Sequence, residues 1–211
     1  CIRDSNKAVE LGVDGVEIDI FKCFSGELIL SHDSNLKRMT EKSGEIEELT
    51  LDEISSYLIQ NKYKIPTLKY VLQNLKPEIF INIELKGNDT SMLVYELLAE
   101  FIDLKIWESK NFIISSFNWN ELESFRALSK EISVGVLVER QMDLNKAIDF
   151  AKKINAQSIH PYYKILNAKL VNKVQEDGFK VYTWTVNNIK DIKYIRSLKV
   201  DGIMSAFPEK I

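Results

Sequence analysis

The sequence predicts an α/β fold, a (β/α)8 TIM barrel that lacks its first strand. Three observations lead there. Seven strand-like runs alternate with helix-like runs along the 211 residues, the pattern of parallel βαβ units. Several of those strands are apolar along most of their length, as expected when both faces are covered. The first helix-like run, residues 5–11, has no strand ahead of it, so the count falls one short of a closed barrel. An open doubly wound sheet alternates in the same way. Against it, no Gly-rich dinucleotide loop follows any strand.

The strand-like runs are residues 15–21, 79–85, 112–117, 133–138, 158–161, 180–186 and 202–205. Helical spacing of Leu93, Leu97, Leu98 and Phe101 marks 91–104, and Leu122, Phe125 and Leu128 mark 120–128. Residues 145–154 read similarly, 167–175 run to a glycine stop at Gly178, and 188–198 close the series. One stretch breaks the alternation. Residues 21–24 and 27–30 flank Ser25-Gly26 as a hairpin, and an irregular polar segment, 32–50, follows. Helices are then expected at 51–58 and at 68–75, with Pro66 just before the second. The chain is therefore expected to be a single domain, 1–211, with a hairpin and helical insertion at about 21–78. In a barrel, such insertions at the strand C-termini build the site.

Composition excludes more than it selects. The 28 basic residues nearly balance 31 acidic ones, so no basic stripe points to nucleic acid. No apolar run approaches the ~18 residues of a membrane span. No leader is visible, and the chain opens at Cys1 instead of methionine, so its natural start is expected to lie outside it. Cys1 and Cys23 do not make a disulfide framework, and Cys23 is expected to be a reduced core or edge thiol. The compartment leans cytoplasmic; no oligomeric state is implied.

The chemistry lies in two strands. Glu17 and Asp19 are two apart and project from one face, while Val16, Ile18 and Ile20 take the other. Inward carboxylates are costly unless paired or bound to a cation; the plainer reading is a solvated edge-strand face. Asn82, Glu84 and Lys86 repeat the pattern one strand later, where a Glu84–Lys86 or Glu84–Asn82 structural contact is the plainer reading. Three carboxylates from neighbouring strands suit a hard cation, Mg²⁺ or Ca²⁺, better than zinc. His32 ends the hairpin ahead of Asp33, Ser34 and Asn35; it is either a turn residue or a proton donor and acceptor. His160, before Pro161, reads as structural or supporting. Trp184 alternates with Thr183 and Thr185 and shares a face with Tyr182 and Val186, which suggests a core indole before a ligand wall.

Taken in order, these segments resemble the glycerophosphodiester phosphodiesterase family. The matching pieces are LGVDGVEIDI (11–20), LSHD (30–33), NLKRMT (35–40), IPTL (65–68), NIELK (82–86), SSF (115–117), WTVN (184–187) and VDGI (200–203). The resemblance implies Glu17, Asp19 and Glu84 as ligands of a divalent cation and His32 as one of two acid/base histidines. It also implies Lys86 facing the phosphate and Trp184 packing beside the substrate's carbon chain. The small-molecule substrate would be a glycerophosphodiester, cleaved to glycerol 3-phosphate and an alcohol. The family's opening His-Arg-Gly strand and Glu-Asn-Thr are absent from these residues, and with them a second histidine and a phosphate-facing arginine. The chain as given is therefore expected to be nearly inactive, since one acid/base group is worth about 10²–10⁴-fold in rate. Near the C-terminus, Ser205-Ala206-Phe207-Pro208 departs from the family's Thr followed by Asp or Asn ahead of an aromatic-Pro pair. Rival readings are a lysophospholipase D or sphingomyelinase-type phosphodiesterase on the same barrel, and a non-catalytic phosphodiester-binding barrel.

Overall fold

A computed structural model describes residues 2–211, so the expectation for Cys1 lies outside the described residues. In chain order the elements are α1 (Ile2–Glu10), β1 (Gly15–Lys22), β2 (Leu28–Leu30), α2 (Lys37–Thr40), α3 (Leu51–Ser55), β3 (Leu58–Ile59), β4 (Tyr63–Lys64) and α4 (Leu68–Asn74). They continue with β5 (Phe80–Leu85), α5 (Ser91–Asp103), β6 (Phe112–Ser116), α6 (Trp119–Leu128), β7 (Ser133–Val138), α7 (Leu144–Lys153), β8 (Ser158–Pro161), α8 (Ala168–Glu176), β9 (Lys180–Thr183), α9 (Ile189–Ser197) and β10 (Gly202–Ile203).

The sheet runs β10-β9-β8-β7-β6-β5-β1-β2. Every neighbouring pair is parallel except the β1–β2 hairpin. Each parallel strand lies beside its predecessor in the series, with no reversal of order. A doubly wound sheet must reverse at a switch point, so this topology selects the barrel wall over the open alternative. Among the described residues β10 and β1 are not paired, and the wall stays open between them.

One face of the wall is apolar. Ile18, Ile81, Ile83, Ile114, Val134, Val136, Ile159 and Val181 pack against Leu98, Phe125, Ile148, Val174 and Ile195 of the helices. Asn118, Asn167 and Asn188 accept hydrogen bonds from helix backbone N–H groups as N-caps of α6, α8 and α9. The glycine stop after α8 is real, with Gly178 at φ 91°. The start of α5 is held from outside its own helix. The buried Glu121 carboxylate accepts from the N–H groups of Asp89 (2.8 Å), Thr90 (3.1 Å) and Ser91 (2.9 Å).

The insertion departs from the sequence reading in two places. Residues 32–50 are not wholly irregular. They form α2 and a short 3₁₀ turn, and they bury Leu36 and Ile46 with Phe21, Cys23, Ile29, Ile54 and Ile65 in a second small core. Cys23 is accordingly a buried free thiol. The helix expected at 51–58 ends at Ser55, because Leu58 and Ile59 turn back to pair with Lys64 and Tyr63. Gln60 and Asn61 both take positive φ in that turn, which Lys62 N–H closes onto the Ile59 carbonyl at 3.1 Å. No glycine marks it, so the pattern was hidden. The strands expected over 180–186 and 202–205 are also shorter, ending at Thr183 and Ile203.

Candidate active site

Parallel register places the acids. Asp19 stands opposite Glu84, and Glu17 opposite Asn82. Equivalent positions on adjacent strands face the same way, so all four side chains leave the apolar core and enter the concave face. Ligand atoms of Glu17, Asp19 and Glu84 lie within 4.8 Å of one another. Lys86, just beyond β5, places Nζ 3.0 Å from Glu84 Oε1 and 3.5 Å from Asp19 Oδ1. The Glu84–Lys86 contact weighed from sequence therefore exists, but one ammonium faces three carboxylates.

That imbalance shows in the protonation of the acids. Burial, then repulsion from Asp19, pushes Glu84 up to about 7 despite Lys86. Burial in the hollow of the wall, then repulsion from Asp19 and Glu84, pushes Glu17 well above the usual carboxylate range, although its side chain stays accessible to water. Burial alone would lower Lys86; the charges of Glu84 and Asp19 outweigh it and raise the ammonium's pKa.

His32 lies at the same end of β1, because Ser31 N–H donates to the Asp19 carbonyl at 3.1 Å. Its Nδ1 is 2.7 Å from Asp33 Oδ1, and Asp33 in turn pairs with Arg38. The Arg38 hydrogen bond, then that of His32, holds the Asp33 carboxyl down at about 2. Asp33 thus stays ionised, accepts the Nδ1 proton and leaves Nε2 free. Sequence reading named His32 and quoted Arg38 in a motif without linking them. The available signal was the Asx-type turn between them, in which Lys37 N–H donates to Asn35 Oδ1 at 2.9 Å.

Trp184 is not a core indole. It is half-buried and lies outside the helix-facing cluster, whereas Val186 is inside it. The two do not share a face because Trp184 makes the last parallel bridge, to Tyr162, and the period of two lapses before Val186. Trp184 Nε1 donates to the His160 carbonyl at 2.8 Å, and its ring meets Phe117 and Tyr162 at 5.4 and 5.2 Å between centroids. These rings form an aromatic wall at the strand ends. The departure at Ser205-Ala206 leaves no local gap: Asn187 Oδ1 accepts from Ser205 Oγ at 3.2 Å and Ala206 N–H at 2.9 Å.

The residues present fit a hard divalent cation. All candidate donors are oxygens, from three carboxylates. A buried oxygen beside them, Asn82 Oδ1, makes no hydrogen bond among the described residues. Such an atom in a folded protein calls for a ligand or water. Asn82 belongs to the trio recognised from sequence but was not singled out as a site residue; its exact pairing with Glu17 is the signal that elevates it.

Fold and site together define an α/β-barrel enzyme with an acidic, lysine-bearing mouth. The profile described as "Glycerophosphoryl diester phosphodiesterase family" matches residues 2–210. The chain belongs to that family and, with it, to the phosphoric diester hydrolases. A glycerophosphodiester phosphodiesterase of Caldanaerobacter subterraneus subsp. tengcongensis is 30% identical over 97% of this chain and 87% of its own. A lysophospholipase D of Mus musculus is 24% identical over 97% of this chain and 77% of its own. Among solved structures, a glycerophosphodiester phosphodiesterase of Thermotoga maritima superposes with a TM-score of 0.82 at 27% identity, covering 99% of this chain and 88% of the other. An Oleispira antarctica phosphodiesterase, in complex with the product sn-glycerol-3-phosphate, shares the fold at a TM-score of 0.88 and 23% identity, covering 100% of this chain and 88% of the other.

Proposed function

We propose that this protein hydrolyses glycerophosphodiesters to glycerol 3-phosphate and an alcohol, with Mg²⁺ or Ca²⁺ held by Glu17, Asp19 and Glu84. The observation that carries the reading is the convergence of those three acids within 4.8 Å beside a lysine. The cation, when bound, supplies Lewis-acid polarisation of a non-bridging phosphate oxygen. Lys86 offsets the negative charge that grows on the phosphate. His32, with Nδ1 fixed by Asp33, presents Nε2 to accept a proton from the attacking hydroxyl or to donate one to the leaving alkoxide. Trp184 and the rings beside it shield the carbon chain from water.

The two histidines of this sequence are His32 and His160, and His160 is fully buried. The acid/base pair implied by the family pattern is not completed by them, so turnover by residues 1–211 is expected to be weak. Binding is therefore the sharper readout. Calorimetry should show Mg²⁺ or Ca²⁺ uptake by the wild type, cation-dependent binding of sn-glycerol 3-phosphate, and loss of both in Glu84→Ala. Unchanged binding in Glu84→Ala would end the assignment. Relatives named lysophospholipase D support a second reading on the same site. Headgroup release from glycerophosphocholine compared with lysophosphatidylcholine separates the two. Among the described residues no helix is long and apolar enough to cross a membrane.

A further inference from the structure

Beneath the acids, the concave face carries polar groups with no assigned work. Ser115 is fully buried in β6 and stands opposite Glu84 on one side and opposite Gly135 on the other. Gly135 stands opposite Ser158 in turn. The space that a side chain at 135 would fill is taken by the His160 ring: a Cβ there would lie 2.3 Å from Nε2 and 2.5 Å from Cε1. His160 is fully buried, and its Nε2 is 2.8 Å from Ser158 Oγ. By register, Ser115 thus sits between Glu84 on β5 and, on β7, the Gly135 position that the His160 ring covers. Ser115 Oγ and His160 Nδ1 lack a hydrogen-bond partner among the described residues, and Glu84 Oε1 meets Lys86 Nζ at 3.0 Å. Two such atoms on one concave face, on strands separated by β7, are costly unless joined. A bridging water needs two to four polar partners, and this row supplies them.

We propose that Glu84, Ser115, His160 and Ser158 form one hydrogen-bonded row, closed by ordered water, in which His160 and Ser115 are positioning residues that hold the Glu84 carboxylate in its ligating orientation. Gly135 is part of the device, because only a residue without a side chain lets the ring reach across β7. Burial supports a fixed, neutral imidazole, with His160 pushed down to about 3. Partners of this kind, one shell out from a ligand, are typically worth about 10–100-fold in metal affinity. The inference rests on the cation reading above, and its test must separate the two.

The test uses Ser115→Ala, which removes only the hydroxyl, and Gly135→Ala, which drives the ring from its seat. Each should weaken Mg²⁺ binding about tenfold or more in calorimetry, and the double variant should lose no more than the worse single one, because both break one link. Unfolding midpoints of the Ser115→Ala protein in EDTA should stay close to wild type, which a merely structural hydroxyl would not predict alongside the affinity loss. The second readout needs no cation. With two histidines in the sequence, imidazole ¹⁵N spectra separate buried His160 from exposed His32, and Ser115→Ala should move only the His160 ring signals. Wild-type affinity together with unmoved His160 signals in Ser115→Ala would overturn the row. Should the wild type take up neither Mg²⁺ nor Ca²⁺, the cation reading falls by itself, and the row is then decided by the imidazole shift: movement supports it and constancy overturns it.

Discussion

Glu84→Gln should stabilise the metal-free protein while abolishing its response to cations. An ordinary glutamate titrates at 4.5 and Glu84 at about 7, raised by burial and by Asp19. A carboxyl whose pKa rises on folding opposes folding above its folded value, because the unfolded chain ionises it more readily. At about 1.4 kcal/mol per pH unit, the charged form costs the fold about 3 kcal/mol at about pH 8. The cost shrinks as pH falls through 7 toward 4.5, to about 1 kcal/mol at about pH 5.5. Glutamine keeps the shape and removes the charge. The difference in unfolding free energy between Glu84→Gln and wild type, measured by urea denaturation in EDTA, should therefore be about +3 kcal/mol at about pH 8 and about +1 at about pH 5.5. Using the difference cancels the titrating groups that do not face Glu84. Saturating Mg²⁺ or Ca²⁺ should reverse the order, because wild type gains binding energy that the variant cannot. A destabilised Glu84→Gln in EDTA at alkaline pH, or a difference that does not vary with pH, would refute the claim that repulsion and burial are uncompensated here.

Lys86→Met should act in opposite directions on the two ligands. Removing an ammonium 3.0 Å from Glu84 should tighten cation binding and weaken sn-glycerol 3-phosphate binding, each by about tenfold, as read by calorimetry; parallel weakening of both would place Lys86 among structural contacts. Asp33→Asn should lower turnover about tenfold or more, with cation affinity unchanged, because it releases the His32 ring without touching the acids; equal turnover in steady-state assays would remove His32 from the chemistry. His160 predicts acid sensitivity. It stays neutral in the fold down to about 3, whereas an exposed histidine gains its proton at 6.5. Stability in EDTA should thus fall as pH drops below 6.5, by about 3 kcal/mol at about pH 4.5 from this group. His160→Gln should flatten that slope in urea titrations, and an unchanged slope would contradict the buried neutral ring.

What could be read before any coordinates followed from short-range periodicity. Alternation by two separated Glu17 and Asp19 from Val16, Ile18 and Ile20, and Asn82, Glu84 and Lys86 from Ile81, Ile83 and Leu85, whatever strands lay beside them. Apolar spacing and the glycine stop at Gly178 set the helices from 91 onward, and the number of parallel strands followed from their alternation. Where local signals were weak, the reading slipped. The Gln60-Asn61 turn has no glycine, so the helix expected at 51–58 runs too long, and Trp184 was grouped with Val186 across the point where the pairing of β9 lapses.

The linear chain thus determined which face each acid takes, but not that the acids meet. Convergence needed the register of β1 against β5, which puts Asp19 beside Glu84 across about 65 residues of chain. The same holds for the Asp33–Arg38 support of His32, and for the His160 ring lying over Gly135 beside Ser115. Those contacts depend on strand register and on the path of an insertion that builds its own small core. Both are settled by packing the whole wall against its helices, since a slip of one residue would turn every acid into the apolar side.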